Sequence, residues 1–211
     1  MGEPFDQGNI GSCVAQAVAK ALWCSHAQQT ATPQPASRLA IYYLARATHH
    51  MQHFDTGTYI RAAFQILNTF GFAPELEWPY QTHDFAKMPP TRLFQRAIDQ
   101  TKGARYHRIF ESGDARCDAV KLALSHGHSV VFGTDVDDAF TAYDFDHTWD
   151  GPTTAINGGH AMAWGSYNAI GPEAINSWGS WSKDGWARFT WGAVKNHCRD
   201  LWVVQHAPTY A

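Results

Sequence analysis

Near Ala104 the spacing of apolar residues changes from a helical period to a strand period, and this break constrains the fold more than any other feature. Before it, Val14, Ala17, Val18, Ala21 and Leu22 follow Cys13 at helical spacing in an alanine-rich run. Ser37 is placed to cap a second helix through "RLAIYYLARATHHM". A third runs along "TYIRAAFQILNTF", with Ile60, Ala63, Phe64 and Leu67 on one face and Gly71 as its stop. "PTRLFQRAIDQTKG" gives a fourth, closed by Gly103. After the break come "ARYHRIF", "SVVFGTDV", "HAMAWGSYN", "EAINSW", "WARFTW" and "LWVVQHA". These runs are short and aromatic or β-branched, with Gly, Pro, Asn or Asp between them, which is the signature of strands. One helix, "DARCDAVKLALSHG", interrupts them. The pattern predicts an α+β fold of two lobes, helical over about 1–103 and antiparallel β over about 104–211, with a cleft between them.

The 211 residues suffice for one domain of two lobes, and 45% hydrophobic with 17% charged content describes a globular chain. A net charge of −3 argues against nucleic acid as a partner, because phosphate binding needs a clustered Lys/Arg field. No apolar run approaches the roughly 20 residues of a membrane span. The start, "MGEPFDQGN", lacks the regions of a signal peptide, which favours the cytosol, although a chain trimmed of a leader would look the same. The four cysteines (13, 24, 117 and 198) form no CxxC pair, so neither a zinc knuckle nor a disulfide framework is expected. Cys117 shares a helical face with Val120 and Leu124 and reads as a core thiol, while Cys24 and Cys198 read as core or unpaired surface thiols.

Four residues carry the chemistry. Cys13 lies at the first turn of its helix, where unpaired backbone N–H groups and the helix dipole favour a thiolate. A nucleophile also needs a base. His160, in "NGGHAMAW", opens an apolar strand after two glycines and can face a cleft while the strand stays buried. Asn176, in "AINSWGSW", ends a buried run, and its side-chain oxygen could fix the imidazole's orientation and tautomer. Trp178 could shield that hydrogen bond from water. Gln7 could supply an amide N–H that joins the Cys13 backbone N–H on a tetrahedral oxyanion. Each alone has a bland alternative: a core thiol, a strand-end histidine, a turn asparagine, a solvated glutamine.

Taken in order, Gln7, Cys13, His160 and Asn176, with "QGNIGSC", "GGHA" and "NSWG", resemble the papain-like cysteine peptidases of clan CA, family C1. "DTGTYIRAAFQILNTFGFAPELEWPY" is similar to the family's glycine-pair segment, helix and Tyr-Pro-Tyr ending, and "DAVKLALSHGHSVVFGTDV" to the opening of its β lobe. The resemblance implies the papain-like fold, with a barrel-like β lobe, and a cysteine endopeptidase working on peptide or protein substrates through a thioester. No cofactor is implied. It also implies that Gly57, Thr58, Tyr59, Ile60, Gly159 and Ala161, with Trp178, bind substrate, an apolar side chain being expected beside the scissile residue. The same residues would serve an acyltransferase or ligase. A non-catalytic effector or binding domain would be expected to have lost one of the triad.

The sequence departs from the family in several places. Val14 replaces the aromatic that follows the nucleophile in many members, and Thr58 occupies the second glycine position. Ile10 stands where many members carry a disulfide cysteine, and "DTG" replaces the motif bearing its partner, so the likeness is to prokaryotic or phage members. Six residues precede Gln7, so latency would rest on a separate inhibitor or on a propeptide outside this chain. "THHMQHF" would set His49, His50 and His53 on adjacent helical positions, but no further zinc ligand is evident and no metal site is expected. "DVDDAFTAYDFDHTWD" lacks the EF-hand glycine and glutamate and is expected to form a solvated acidic loop.

Overall fold

The computed structural model describes residues 2–101 and 104–206. The helical half contains α1 (Cys13–Ala27), α2 (Arg38–Ala47), α3 (Ile60–Phe70) and α4 (Thr91–Thr101). The second half runs β1 (Arg105–Ile109), α5 (Gly113–Ser125), β2 (Ser129–Asp137), α6 (Asp138–Thr141), β3 (Ile156–Tyr167) and β4 (Pro172–Ile175). It ends with an irregular turn α7 (Trp181–Asp184), β5 (Trp186–Arg188), α8 (Trp191–Asn196) and β6 (Cys198–His206). Among the described residues, six strands form one sheet in the order β1-β6-β2-β3-β4-β5, each neighbouring pair antiparallel.

Two apolar clusters hold this arrangement, and the alternation of side chains along β2 and β3 separates them. Val131, Ala161 and Ala163 face the helical half, where they meet Val14, Val18, Leu22, Leu39, Tyr42, Phe64 and Leu67. Val130, Phe132, Met162 and Trp164 face the opposite side and pack with Val120, Leu124, Phe140 and Phe189. The small residues Ala161 and Ala163 let α1 lie directly on β3, which brings the N-terminus of α1 to the sheet.

The helices follow the apolar spacing, with one shortened. Ser37 caps α2 by accepting from the Ala40 N–H, and Gly71 ends α3 at φ 68°. The expected stop at Gly103 lies outside the described residues. Helix α2 ends at Ala47 instead of continuing to Met51. The cause is Arg46, whose guanidinium collects the Gln52, Phe54 and Phe85 carbonyls and folds the chain back on itself. His49, His50 and His53 therefore lie in a turn, without the helical i, i+4 geometry expected of them, and His49 packs edge-on to Tyr59.

Two further expectations need correction. β3 begins at Ile156, so His160 sits inside the strand; β2 continues to Asp137 and supplies ladder partners for Gly158 and Gly159. The acidic stretch 135–150 is only partly a solvated loop: Asp138, Asp144, Asp146 and Asp150 are exposed, but part of it turns inward. Asp137 is buried and caps α6 by accepting from the Phe140 N–H, while its other oxygen takes the Thr153 and Thr154 N–H groups. Phe140, Tyr143 and Trp149 are then buried against the β half.

Candidate active site

The start of α1 is built to leave its donors free. Ser12, the residue before the helix, makes no side-chain cap; its hydroxyl instead meets Tyr80 Oη at 2.6 Å and accepts from Gln16 Nε2 at 3.1 Å. The backbone N–H groups of Cys13 and Val14 are then available to the Cys13 sulfur, as is the N–H of Ala161 on β3. Burial is the larger influence and raises the thiol above its ordinary value, with these three N–H groups pulling it back. Ala161 follows His160 on β3, and both line the same cleft as Cys13.

His160 is buried, and its Nε2 lies 2.6 Å from Asn176 Oδ1. A side-chain amide oxygen only accepts, so Nε2 carries the proton of this bond and Nδ1 is the nitrogen left for other work. Asn176 is itself set by the Ser177 N–H, which donates to the same Oδ1 at 2.7 Å. Trp178 covers the imidazole at 4.6 Å between ring centroids and rests on Phe140 and Trp181. The buried aromatics of the acidic stretch are thus the support behind Trp178. Burial depresses His160 to about 4, against the opposing pull of the Asn176 hydrogen bond. Taken singly, both charges are disfavoured here, and only their mutual attraction can sustain a thiolate–imidazolium pair.

Gln7 is held by both ends of its side chain. Its Nε2 donates to the Ile10 carbonyl at 3.0 Å and its Oε1 accepts from the Ser177 hydroxyl at 2.7 Å. Tyr80 adds a third restraint by donating to the Gln7 carbonyl at 2.8 Å.

Cys13 and His160 line one cleft of about 560 Å³. Gly57, Thr58, Tyr59 and Ile60 form part of its wall, with Gly159 and Ala161 opposite, so six of the expected substrate-binding residues share it. Trp178, the seventh, does not line the cleft and packs on the His160 ring instead. Gly133, Thr134, Arg199 and Asp200 also line the cleft, and Arg199 is paired with Asp135. No sequence pattern pointed to these residues.

The missing disulfide has a noncovalent counterpart. Ile10 is buried in the first core, and the Gly11 N–H donates to Asp55 Oδ1 at 2.9 Å. Tyr42 Oη donates to that same oxygen and accepts from the Gly57 N–H at 3.2 Å. A Cβ on Gly11 would stand 3.3 Å from the Gly57 nitrogen, so the two loops touch backbone to backbone. All four cysteines are free; Cys117 and Cys198 are buried, as a core reading requires, and Cys24 is half-buried.

The sequence profile described as "Papain family cysteine protease" matches residues 2–205. The chain belongs to the papain family of cysteine proteases. As such it is a hydrolase that acts on peptide or protein substrates. An uncharacterized peptidase C1-like protein of Acanthamoeba polyphaga mimivirus is 32% identical over 95% of this chain and 69% of its own length. Among solved structures, xylellain, a cysteine protease from Xylella fastidiosa, superposes with a TM-score of 0.88 at 27% identity. That match covers 97% of this chain and 83% of xylellain. The Carica candamarcensis cysteine protease solved with E-64 gives 0.70 at 18% identity over 98% and 94% of the two chains, a likeness of fold. These papain-family relatives agree with the α+β architecture expected from the change of period at Ala104.

Proposed function

We propose that the chain is one peptidase domain, helical lobe followed by β lobe, whose nucleophile is Cys13 and whose general acid and base is His160. The observation that carries this reading is that Cys13 and His160 line one cleft while His160 is tied to Asn176 at 2.6 Å. The Cys13 thiolate attacks the scissile carbonyl, and the C=O electron pair moves onto oxygen. The Cys13 backbone N–H and the second amide hydrogen of Gln7 donate to that oxyanion. Collapse expels the amine, which takes its proton from His160 and leaves a thioester. Neutral His160 then removes a proton from water, which attacks the thioester and releases the acid. Asn176 keeps the imidazole oriented, and Trp178 excludes water from the bond between them.

The cleft also supports the substrate reading. Gly57 to Ile60 offer backbone and side-chain contacts on one wall, and Gly159 and Ala161 leave room on the other.

Labelling by iodoacetamide tests the reading. Stoichiometric modification of Cys13 is expected at pH 5, with peptide hydrolysis abolished in Cys13→Ala. Reactivity that rises only near the free-thiol value of about 8.5 would remove the activated pair.

A further inference from the structure

We propose that Lys20 is a positioning residue for the oxyanion donor Gln7, acting through the N-terminal segment 3–7 that it clamps; this rests on the reading of Gln7 given above. Lys20 lies on α1, two turns beyond Cys13, and is only 4% exposed. Its Nζ donates to the Glu3 carbonyl and stands 3.8 Å above the centre of the Phe5 ring. Arg38 also approaches that ring, at 4.4 Å, so two cations bear on one aromatic.

What Phe5 holds is the segment next to the site. The Phe5 carbonyl accepts from the Gly179 N–H at 3.0 Å, and the Gln7 N–H donates to the Ser177 carbonyl at 2.8 Å. Residues 5–7 are therefore laced antiparallel to 177–179, the stretch that begins just after Asn176. The Ser177 hydroxyl completes the chain of contacts at Gln7 Oε1. Lys20, Phe5, Asn176 and Ser177 also line one small void beneath this lacing.

The charge is retained there against its own desolvation. Burial is the chief influence lowering Lys20, to about 8; Arg38 on α2 acts the same way, while Cys24 on α1 and Glu3 on the segment oppose it. Stability alone would be served as well by a long apolar side chain, which could fill the space but could not grip the Glu3 carbonyl or the Phe5 ring. The cation is therefore best explained by what it orients.

Two variants test this. Lys20→Met is expected to melt within about 2 °C of the parent or above it, yet to lose about tenfold in kcat at nearly unchanged KM, counted per titratable active site. Phe5→Leu, which keeps apolar bulk and removes the ring, should give the same split. In a Gln7→Ala background Lys20→Met should cost less than twofold, because the donor it positions is already gone. An equal loss in both backgrounds overturns the proposal. A second arm needs no activity: hydrogen exchange at the Gln7 and Gly179 amides should quicken at least tenfold in Lys20→Met. Unchanged exchange overturns the clamp itself, whereas quickened exchange with no hydrolysis by the parent protein would fault the reading of Gln7 and leave the clamp standing.

Discussion

The Ser177 hydroxyl donates to Gln7 Oε1 at 2.7 Å, joining two residues 170 positions apart, while the Ser177 N–H donates to Asn176 Oδ1. One residue thus sets both the Gln7 amide, proposed above as an oxyanion donor, and the Asn176 amide that holds the imidazole. Removing the hydroxyl leaves the backbone bond to Asn176 and frees only Gln7. A lost hydrogen bond of this kind is worth about 1 kcal/mol, or about fivefold in rate when it acts on the transition state. Ser177→Ala should lower kcat by about that factor with KM unchanged, in steady-state assays on active-site-titrated protein.

The two charges of the active pair make opposite predictions when separated. In Cys13→Ala, His160 has no thiolate to oppose its burial, and NMR should find it titrating near 4. In the parent protein the neighbouring thiolate should hold the imidazolium to well above that value. The sign for stability follows from proton uptake. Between about 6.5 and about 4 the unfolded histidine binds a proton that the folded Cys13→Ala variant refuses. Its stability should therefore fall as the pH drops through this window and level off below it. Comparison with a variant carrying His160→Gln as well isolates the effect in thermal melts.

The change of period at Ala104 and the spacing Gln7, Cys13, His160, Asn176 were legible because each is a local pattern or a recognisable residue type. What stayed hidden depends on contacts between distant segments. Ser177 and Tyr80 lie inside motifs the sequence singles out, but what they hold, like the partners of Lys20, appears only once folding brings distant segments beside them. In the stretch 135–150 most of the aspartates are exposed as their charge predicts, but Asp137 turns inward to cap α6 and Phe140 follows it into the core, which composition alone does not signal. Gly158 and Gly159 carry no side chain to signal the ladder they join, so the sequence opens the strand at His160 and not at Ile156.

The contact between the loops at Gly11 and Gly57 gives a stability prediction. Asp55 Oδ1 takes both the Gly11 N–H and the Tyr42 hydroxyl, and Tyr42 in turn takes the Gly57 N–H. Tyr42→Phe and Asp55→Ala should each cost about 1–2 kcal/mol, since each leaves a donor or acceptor unmet in a partly buried place. Sharing one network, they should couple, and the double variant should lose less than the sum. For a chain of this length the single losses correspond to a fall of roughly 2–8 °C in melting temperature. Additive losses would mean that the two residues act separately, and the loops would then be joined by something else.

Thr58 sets the last expectation, because its two halves act in different ways. It lines the cleft, and its hydroxyl oxygen is buried without a hydrogen-bond partner among the described residues. Thr58→Val keeps the shape and removes the unmet hydroxyl, so the variant should melt no lower than the parent and cleave the same peptides. Thr58→Gly removes the bulk instead. It should widen the cleft beside Gly57 and lower KM by about threefold to tenfold for substrates with a large side chain next to the scissile residue, leaving small ones unchanged. Library profiling of the three proteins separates the effects. A shift of preference in Thr58→Val would assign the selectivity to the hydroxyl, and no shift in Thr58→Gly would place the limiting wall elsewhere in the cleft.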